Sequence, residues 1–117
     1  MSFKFEKLIV WQKALDLSEV VNRVTKYFPK EEVYILTSQI KRAADSVSLN
    51  IAEGSTGQTN PEFKWFLGIA LRSNVEVVGC IHIAMRRKII SQQDYNDIYQ
   101  KCEEILVMIN GLRNSLK

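Results

Sequence analysis

The sequence predicts an all-α fold, an antiparallel up-down-up-down four-helix bundle, and three observations carry that reading. Apolar residues recur at alternating steps of three and four, the spacing of one helix face in a packed bundle. Only five Gly and two Pro punctuate 117 residues, so the chain has few places to break and should form long elements. No β pattern or internal repeat competes with the helical period.

The first helix is expected over 6–28. Val10, Ala14, Leu17, Val21, Val24 and Phe28 form its seam, widened by Leu8, Trp11 and Leu15. Pro29 ends it, because the residue before a proline is pushed out of the helical region. The second helix, over 31–53, opens on Glu31 and Glu32, which suit a positive N-terminal end. Its seam runs Val33, Leu36, Ile40, Ala43, Val47 and lands on Asn50, with Gly54 as a left-handed stop. A polar loop follows, then Asn60 as N-cap and Pro61 in the first turn of a third helix over 61–88. That helix would be roughly 40 Å long at ~1.5 Å per residue. Ser91 caps the fourth helix, over 92–116, whose seam is Tyr95, Ile98, Cys102, Ile105, Ile109, Leu112 and Leu116. Short connections make consecutive helices antiparallel neighbours.

Composition bounds the function. A chain of 117 residues makes one domain, and 46% apolar with 25% charged residues is an ordinary globular balance. The net charge of +3 splits evenly between the halves, too mild by itself to diagnose a nucleic-acid binder. Copies in an assembly would add their charges into a stronger field. Two cysteines make no secreted disulfide framework, and Met1 to Val10 has no signal-peptide pattern. Charges interrupt every apolar stretch short of ~20 residues, so no membrane span is expected. The expected location is cytoplasmic.

The third helix is too apolar for a lone bundle. One stripe holds Phe63, Phe66, Ala70, Val77 and Cys80, a second Leu67, Leu71, Val78 and Ile81, and a third side Ile69, Ile83 and Ile90. A helix apolar nearly all round is covered on more than one side, which implies a second subunit on its outer face. Gly68 and Gly79 each cost ~1 kcal/mol in a helix interior, which close helix approach would offset. Singly exposed apolar residues and tolerated surface glycines are the plain alternative. Glu76 sits in this length, and a buried carboxylate needs a cation or several donors. The residues Arg42, Ser46, Asn50, Glu53, Arg72 and Glu76 are therefore expected to form a polar network joining the second and third helices, within or across subunits. The alternative is that several are solvated surface groups.

Catalytic and metal chemistry find no support, so no cofactor and no enzymatic activity are expected. A di-iron bundle needs paired Glu-x-x-His motifs, and His82 is the sole histidine. Cys80 and Cys102 fall on core seams and read as small buried hydrophobes, not zinc ligands. The loop Gly54, Ser55, Thr56, Gly57 lacks the Gly-Lys-Ser/Thr ending of a phosphate loop. Basic residues remain. Arg86, Arg87 and Lys88 form the densest cluster, with Lys41 and Lys64 as further phosphate-contact candidates. Cations at a helix C-terminus are equally explained by the helix dipole. Trp65 and Tyr99 would stack on bases or pack at an interface.

These residues also resemble a known family. The run Gln39, Ile40, Lys41, Arg42, Ala43, Ala44, then Ser46 and Asn50, Ile51, Ala52, Glu53, Gly54, looks like its signature. So do Phe5, Leu8 and Trp11, then Phe28, Pro29 and Glu32, and on the third helix Phe63, Phe66, Leu67, Ile69, Ala70, Ser73 and Glu76. The chain thus resembles, over nearly its whole length, the four-helix bundle family first described from reading frames inside intervening sequences of bacterial 23S ribosomal RNA, once classed as ribosomal proteins. The resemblance implies a ring-like homopentamer with no established enzymatic activity. It also implies association with RNA or DNA, since a related accessory protein of diversity-generating retroelements is a basic pentamer that works with a reverse transcriptase. Family genes occur outside ribosomal RNA operons, so a ribosomal role does not follow. A ring that docks a partner protein and touches no nucleic acid is the competing expectation.

Overall fold

A computed structural model describes residues 2–117. Among them the chain is all helical, with four long helices and no strand: α1 (Ile9–Thr25), α2 (Ser38–Ser55), α3 (Asn60–Arg86) and α4 (Gln92–Ser115). Each helix packs on its neighbours in the chain, and α4 closes back on α1. The body measures 44 × 23 × 21 Å.

The seams predict the core well. On α1, Val10, Ala14, Leu17, Val21, Val24 and Phe28 just beyond it are all buried. The helix is shorter than expected at its start. A 3-10 turn over Lys4–Lys7 is separated from α1 by Leu8, whose backbone is extended. The turn brings Phe5 edge-on to Trp11, with ring centroids 4.8 Å apart.

The second helix departs further. A 3-10 turn (Lys30–Glu32) and a π-helical turn (Val33–Thr37) precede α2. The wider turn rotates the upstream residues out of register, so Val33 is exposed while Leu36 and Ile40 are buried. Downstream, Ile51 takes the core position expected of Asn50, because successive steps of four stay nearer the core-facing line there.

Gly54 corrects a second expectation. It is not a left-handed cap: α2 runs through it to Ser55, and no glycine has positive φ among the described residues. Instead, a Cβ at Gly54 would lie 2.6 Å from Phe66 Cβ and 2.9 Å from Phe63 Cδ1. The missing side chain lets α3 cross closely over α2 where the loop returns. The left-handed residue is Lys88, with φ 61°. There Ile89 N–H donates to Ala84 C=O and Lys88 N–H to Met85 C=O, both at 3.0 Å, a Schellman ending for α3. So α3 stops two residues short of the expected 88. Its cap is Thr59, whose hydroxyl accepts from Glu62 N–H at 3.2 Å, and not Asn60. Ser91 does cap α4, accepting from Asp94 N–H at 3.1 Å.

Glu32 meets Arg87, Gln39 meets Glu76, Ser46 meets Ser73 and Gly54 meets Phe66, so α3 numbers fall as α2 numbers rise. The same holds between α1 and α4 (Lys13–Glu104, Arg23–Asp97) and between α3 and α4 (Asn60–Lys117, Asn74–Cys102, His82–Tyr95).

One helix, α3, is long and apolar enough to cross a membrane by length and composition, with an 18-residue window of mean hydropathy 1.4. The charges expected to interrupt this stretch are present in it. Arg72 lies mid-helix, where an Arg would cost ~2.5–3.5 kcal/mol in a bilayer, and Glu76 lies one turn on. The inner side of α3 is occupied by its partner helices.

Two glycine substitutions separate packing from propensity. Gly54→Ala is expected to destabilise by ~1–3 kcal/mol through overpacking against Phe66. Gly111 has nothing within 4 Å of an added Cβ, so Gly111→Ala should stabilise by ~0.5–1 kcal/mol. Thermal melts of the two variants should move in opposite directions.

Candidate nucleic-acid interface and subunit-contact seam

Gln39, Arg42, Ser46, Asn50 and Glu53 recur at helical spacing and form one stripe of α2. Two hydrogen bonds clamp this stripe to α3. Ser73 Oγ lies 2.9 Å from Ser46 Oγ, and Gln39 Nε2 donates to Glu76 Oε2 at 3.3 Å. Asn50 Nδ2 donates to both Ser46 Oγ (2.9 Å) and Ser46 C=O (2.8 Å). The predicted polar set therefore shares the α2–α3 seam, but only part of it is joined by hydrogen bonds. Glu76 is at the surface and meets Gln39, not Arg42 or Arg72. The desolvation argument for a cation beside it does not apply to a single subunit. Arg42, Glu53 and Arg72 are exposed, and among the described residues their side chains make no ion pair or hydrogen bond. Among the buried polar residues that escaped sequence reasoning, Asn74, 1% exposed, donates from Nδ2 to Cys102 C=O at 2.8 Å. Its place between Ser73 and Val77 on the buried side of α3 was the available signal.

The basic candidates do not form one patch. Lys64 lies in the first turns of α3, and Arg86, Arg87 and Lys88 at its far end, ~33 Å away at helical rise. Lys41 projects from α2 and is exposed. Arg87 is committed elsewhere. Its Nη1 donates to both carboxylate oxygens of Glu32, at 2.9 and 3.1 Å. The carboxylate is largely buried, so this pair ties the end of α3 to the turn before α2. Arg86 and Lys88 remain exposed.

The α3–α4 side carries two further features. Near the end of α3, His82 lies edge-on to Tyr95, whose hydroxyl is 3.3 Å from His82 Nε2, and Tyr95 stacks on Tyr99 with centroids 5.9 Å apart. His82 is exposed. At the opposite end, Lys64, Trp65, Leu71, Arg72 and Arg113 line an open groove of about 420 Å³. The Arg113 guanidinium lies over Gly68, with Nη2 3.7 Å from where a Cβ would stand. Arg113 escaped sequence reasoning because the chain between it and Lys64 spans nearly two helices. Only the fold brings them together.

Both cysteines are free and buried. Burial pushes the Cys80 thiol up to about 11, with Glu76 nearby adding to the shift, and the Cys102 thiol up to about 12. Raised thiol pKa values contribute stability that is complete below the ordinary thiol range and is lost as pH climbs from there towards 11–12. Among the described residues no group of three or more His, Cys, Asp or Glu side chains is placed to hold a metal.

The fold and these surfaces define a small four-helix protein with a polar seam and an open basic groove. The chain belongs to the 23S rRNA-intervening sequence protein family, whose pattern it matches over residues 6–111. It is also similar to a solved structure of a protein of unknown function from the S23 ribosomal protein family of Bacteroides thetaiotaomicron. That likeness covers 90% of this chain and 98% of the other at 24% identity, with a TM-score of 0.82, and it speaks to the fold. No curated protein matches the chain.

Two outcomes test this geometry. Glu32→Gln and Arg87→Gln are each expected to lower unfolding free energy by ~1–2 kcal/mol, with non-additive effects in the double variant, whereas Arg86→Gln should fall within about 0.5 kcal/mol of the parent. A thiol-reactive chromophore at pH 8 should label neither cysteine in the folded protein and both after denaturation.

Proposed function

We propose that this protein acts without catalysis, as a ring of five antiparallel four-helix bundles that contacts RNA or DNA phosphates through its basic clusters in the cytoplasm. The observation that carries the assembly is the α2–α3 seam. It presents Arg42, Glu53, Arg72 and Glu76, two charges of each sign, none of them ion-paired inside the subunit among the described residues. A second copy can satisfy both signs at once. Exposed Leu49 on α2 and Ile83 on α3 add apolar area, and Gly79 has nothing within 4 Å, which leaves room for close approach. Descending pair numbers along neighbouring helices support the antiparallel arrangement.

Nucleic-acid contact is supported by a surplus of cations over acids, multiplied by assembly, and by the family's link to ribosomal RNA. Arg86 and Lys88 are the available members of the far cluster, since Glu32 holds Arg87. Binding of this kind is largely indifferent to sequence and weakens steeply with salt. The absence of catalysis is proposed on chemical grounds: His82 is hydrogen-bonded to a tyrosine, with no nucleophile and orienting group around it. No membrane role is proposed, given the charges in the middle of α3.

A protein-docking scaffold is favoured by one specific feature, the apolar trough lined by Val75, Val78, Tyr99 and Leu106 between α3 and α4. Pull-down from extract with and without nuclease separates the two readings. A nucleic-acid binder loses its co-purifying proteins on digestion, and a scaffold keeps them.

Light scattering should give a mass five times the 13.5 kDa subunit. Glu76→Gln should lower that mass or the melting temperature. Gel shifts at several salt concentrations should show binding that fades as salt rises, and the Arg86→Gln/Lys88→Gln variant should bind more weakly. A stable single subunit at micromolar concentration would remove the ring, and no shift at low salt would remove the nucleic acid.

A further inference from the structure

The cations of this chain are spatially sorted. Lys13, Arg23, Arg87 and Lys101 each meet a carboxylate within 4 Å, at Glu104, Asp97, Glu32 and Asp97. The groove between the start of α3 and the end of α4 is different. It gathers Lys64, Arg72 and Arg113 with no acidic residue in its lining. None of the three has a carboxylate partner among the described residues. Three like charges along one trough repel one another, and an anionic occupant relieves that repulsion.

The aromatic in the groove narrows the ligand. Trp65 stands beside these cations with 63% of its surface exposed. It is braced edge-on by Phe66 at 5.0 Å, so its orientation is supported from behind. A flat, exposed indole flanked by cations suits a base stacked next to a phosphate backbone. Lys64 to Arg72 spans ~12 Å of helix at 1.5 Å per residue. The trough is open along its length, which fits a strand passing through more than an enclosed small molecule. An acidic polypeptide would answer the charges and leave the indole without a partner.

We infer that this α3–α4 groove holds a short run of single-stranded nucleic acid, with its phosphates on Lys64 and Arg113 and one base on the Trp65 ring. The inference rests on the nucleic-acid reading above and adds to it a location, a strandedness and a stacking residue. Arg72 borders the α2–α3 seam proposed for subunit contact. Lys64 and Arg113 line the α4 side, so those two carry the test.

The experiment titrates the intact protein with a 12-nucleotide single-stranded RNA and follows tryptophan fluorescence. Quenching is expected, and it should vanish in Trp65→Phe, which keeps the exposed aromatic site but removes the reporter. Lys64→Gln with Arg113→Gln should weaken binding roughly tenfold near 0.1 M salt. The slope of log affinity against log salt should become shallower by ~1.4, two contacts at ~0.7 each. The control pair Lys26→Gln with Lys30→Gln, two exposed cations outside the groove lining, should leave the quench unchanged. Helical content and assembly mass, measured on each variant, separate lost binding from lost folding. Binding that persists without Trp65 quenching, and is untouched by the Lys64 and Arg113 changes, overturns this site while the broader nucleic-acid reading stands. No binding at all at low salt overturns both. Equal quenching by polyglutamate, or by duplex RNA of the same length, overturns the single-stranded assignment.

Discussion

The close crossing of α2 and α3 is the constraint on which the rest of the molecule depends. At one end Gly54 lets Phe63 and Phe66 lie against the α2 backbone. In the middle Ser46 and Ser73 meet across the seam, and at the far end Arg87 grips Glu32. These three points hold the two helices in a single register over most of their length. Apolar burial supplies the larger driving force, through Ile40, Val47 and Ile51 on one side and Leu67, Ala70 and Val77 on the other. Burial alone is non-directional, however, and the polar and steric contacts select one alignment among many.

That register has a consequence for the outer surface. The polar stripe of α2 stays beside α3 and is not turned into the core, so its charged members end up exposed and unpaired. Short side chains and charges divide the work. Ser46, Asn50 and Ser73 satisfy one another locally. Arg42, Glu53 and Arg72 reach past the seam into solvent. A surface of this kind costs little in water and becomes specific when a complementary surface meets it.

The charge pattern follows the same division. A net +3 spread over 117 residues is weak, and two acids of α4, Asp97 and Glu104, already neutralise Lys13, Arg23 and Lys101. What remains is local: a groove with three cations and an indole, and the exposed pair Arg86 and Lys88 some 33 Å along α3, by helical rise. Field strength in such places depends on which charges lack partners, and total charge conceals it.

Local chemistry made the helices readable before any coordinates. The seams of α1 and α4, the Ser91 cap and the burial of both cysteines all depend on residues within a turn or two of one another, and periodicity captures those relations. The family signature was readable for a similar reason, because its residues cluster on α2 and α3. The departures share a different cause. The use of Gly54 for close approach and the Arg87–Glu32 pair each answer to atoms far away in the chain. The groove around Trp65 is the clearest instance, since Lys64 and Arg113 become neighbours only when α4 returns alongside α3. By itself the sequence determined which segments are helical and which face of each seeks the core, since those depend on spacing along one helix. Tertiary structure decided which charges are left without partners, because that depends on distances between helices.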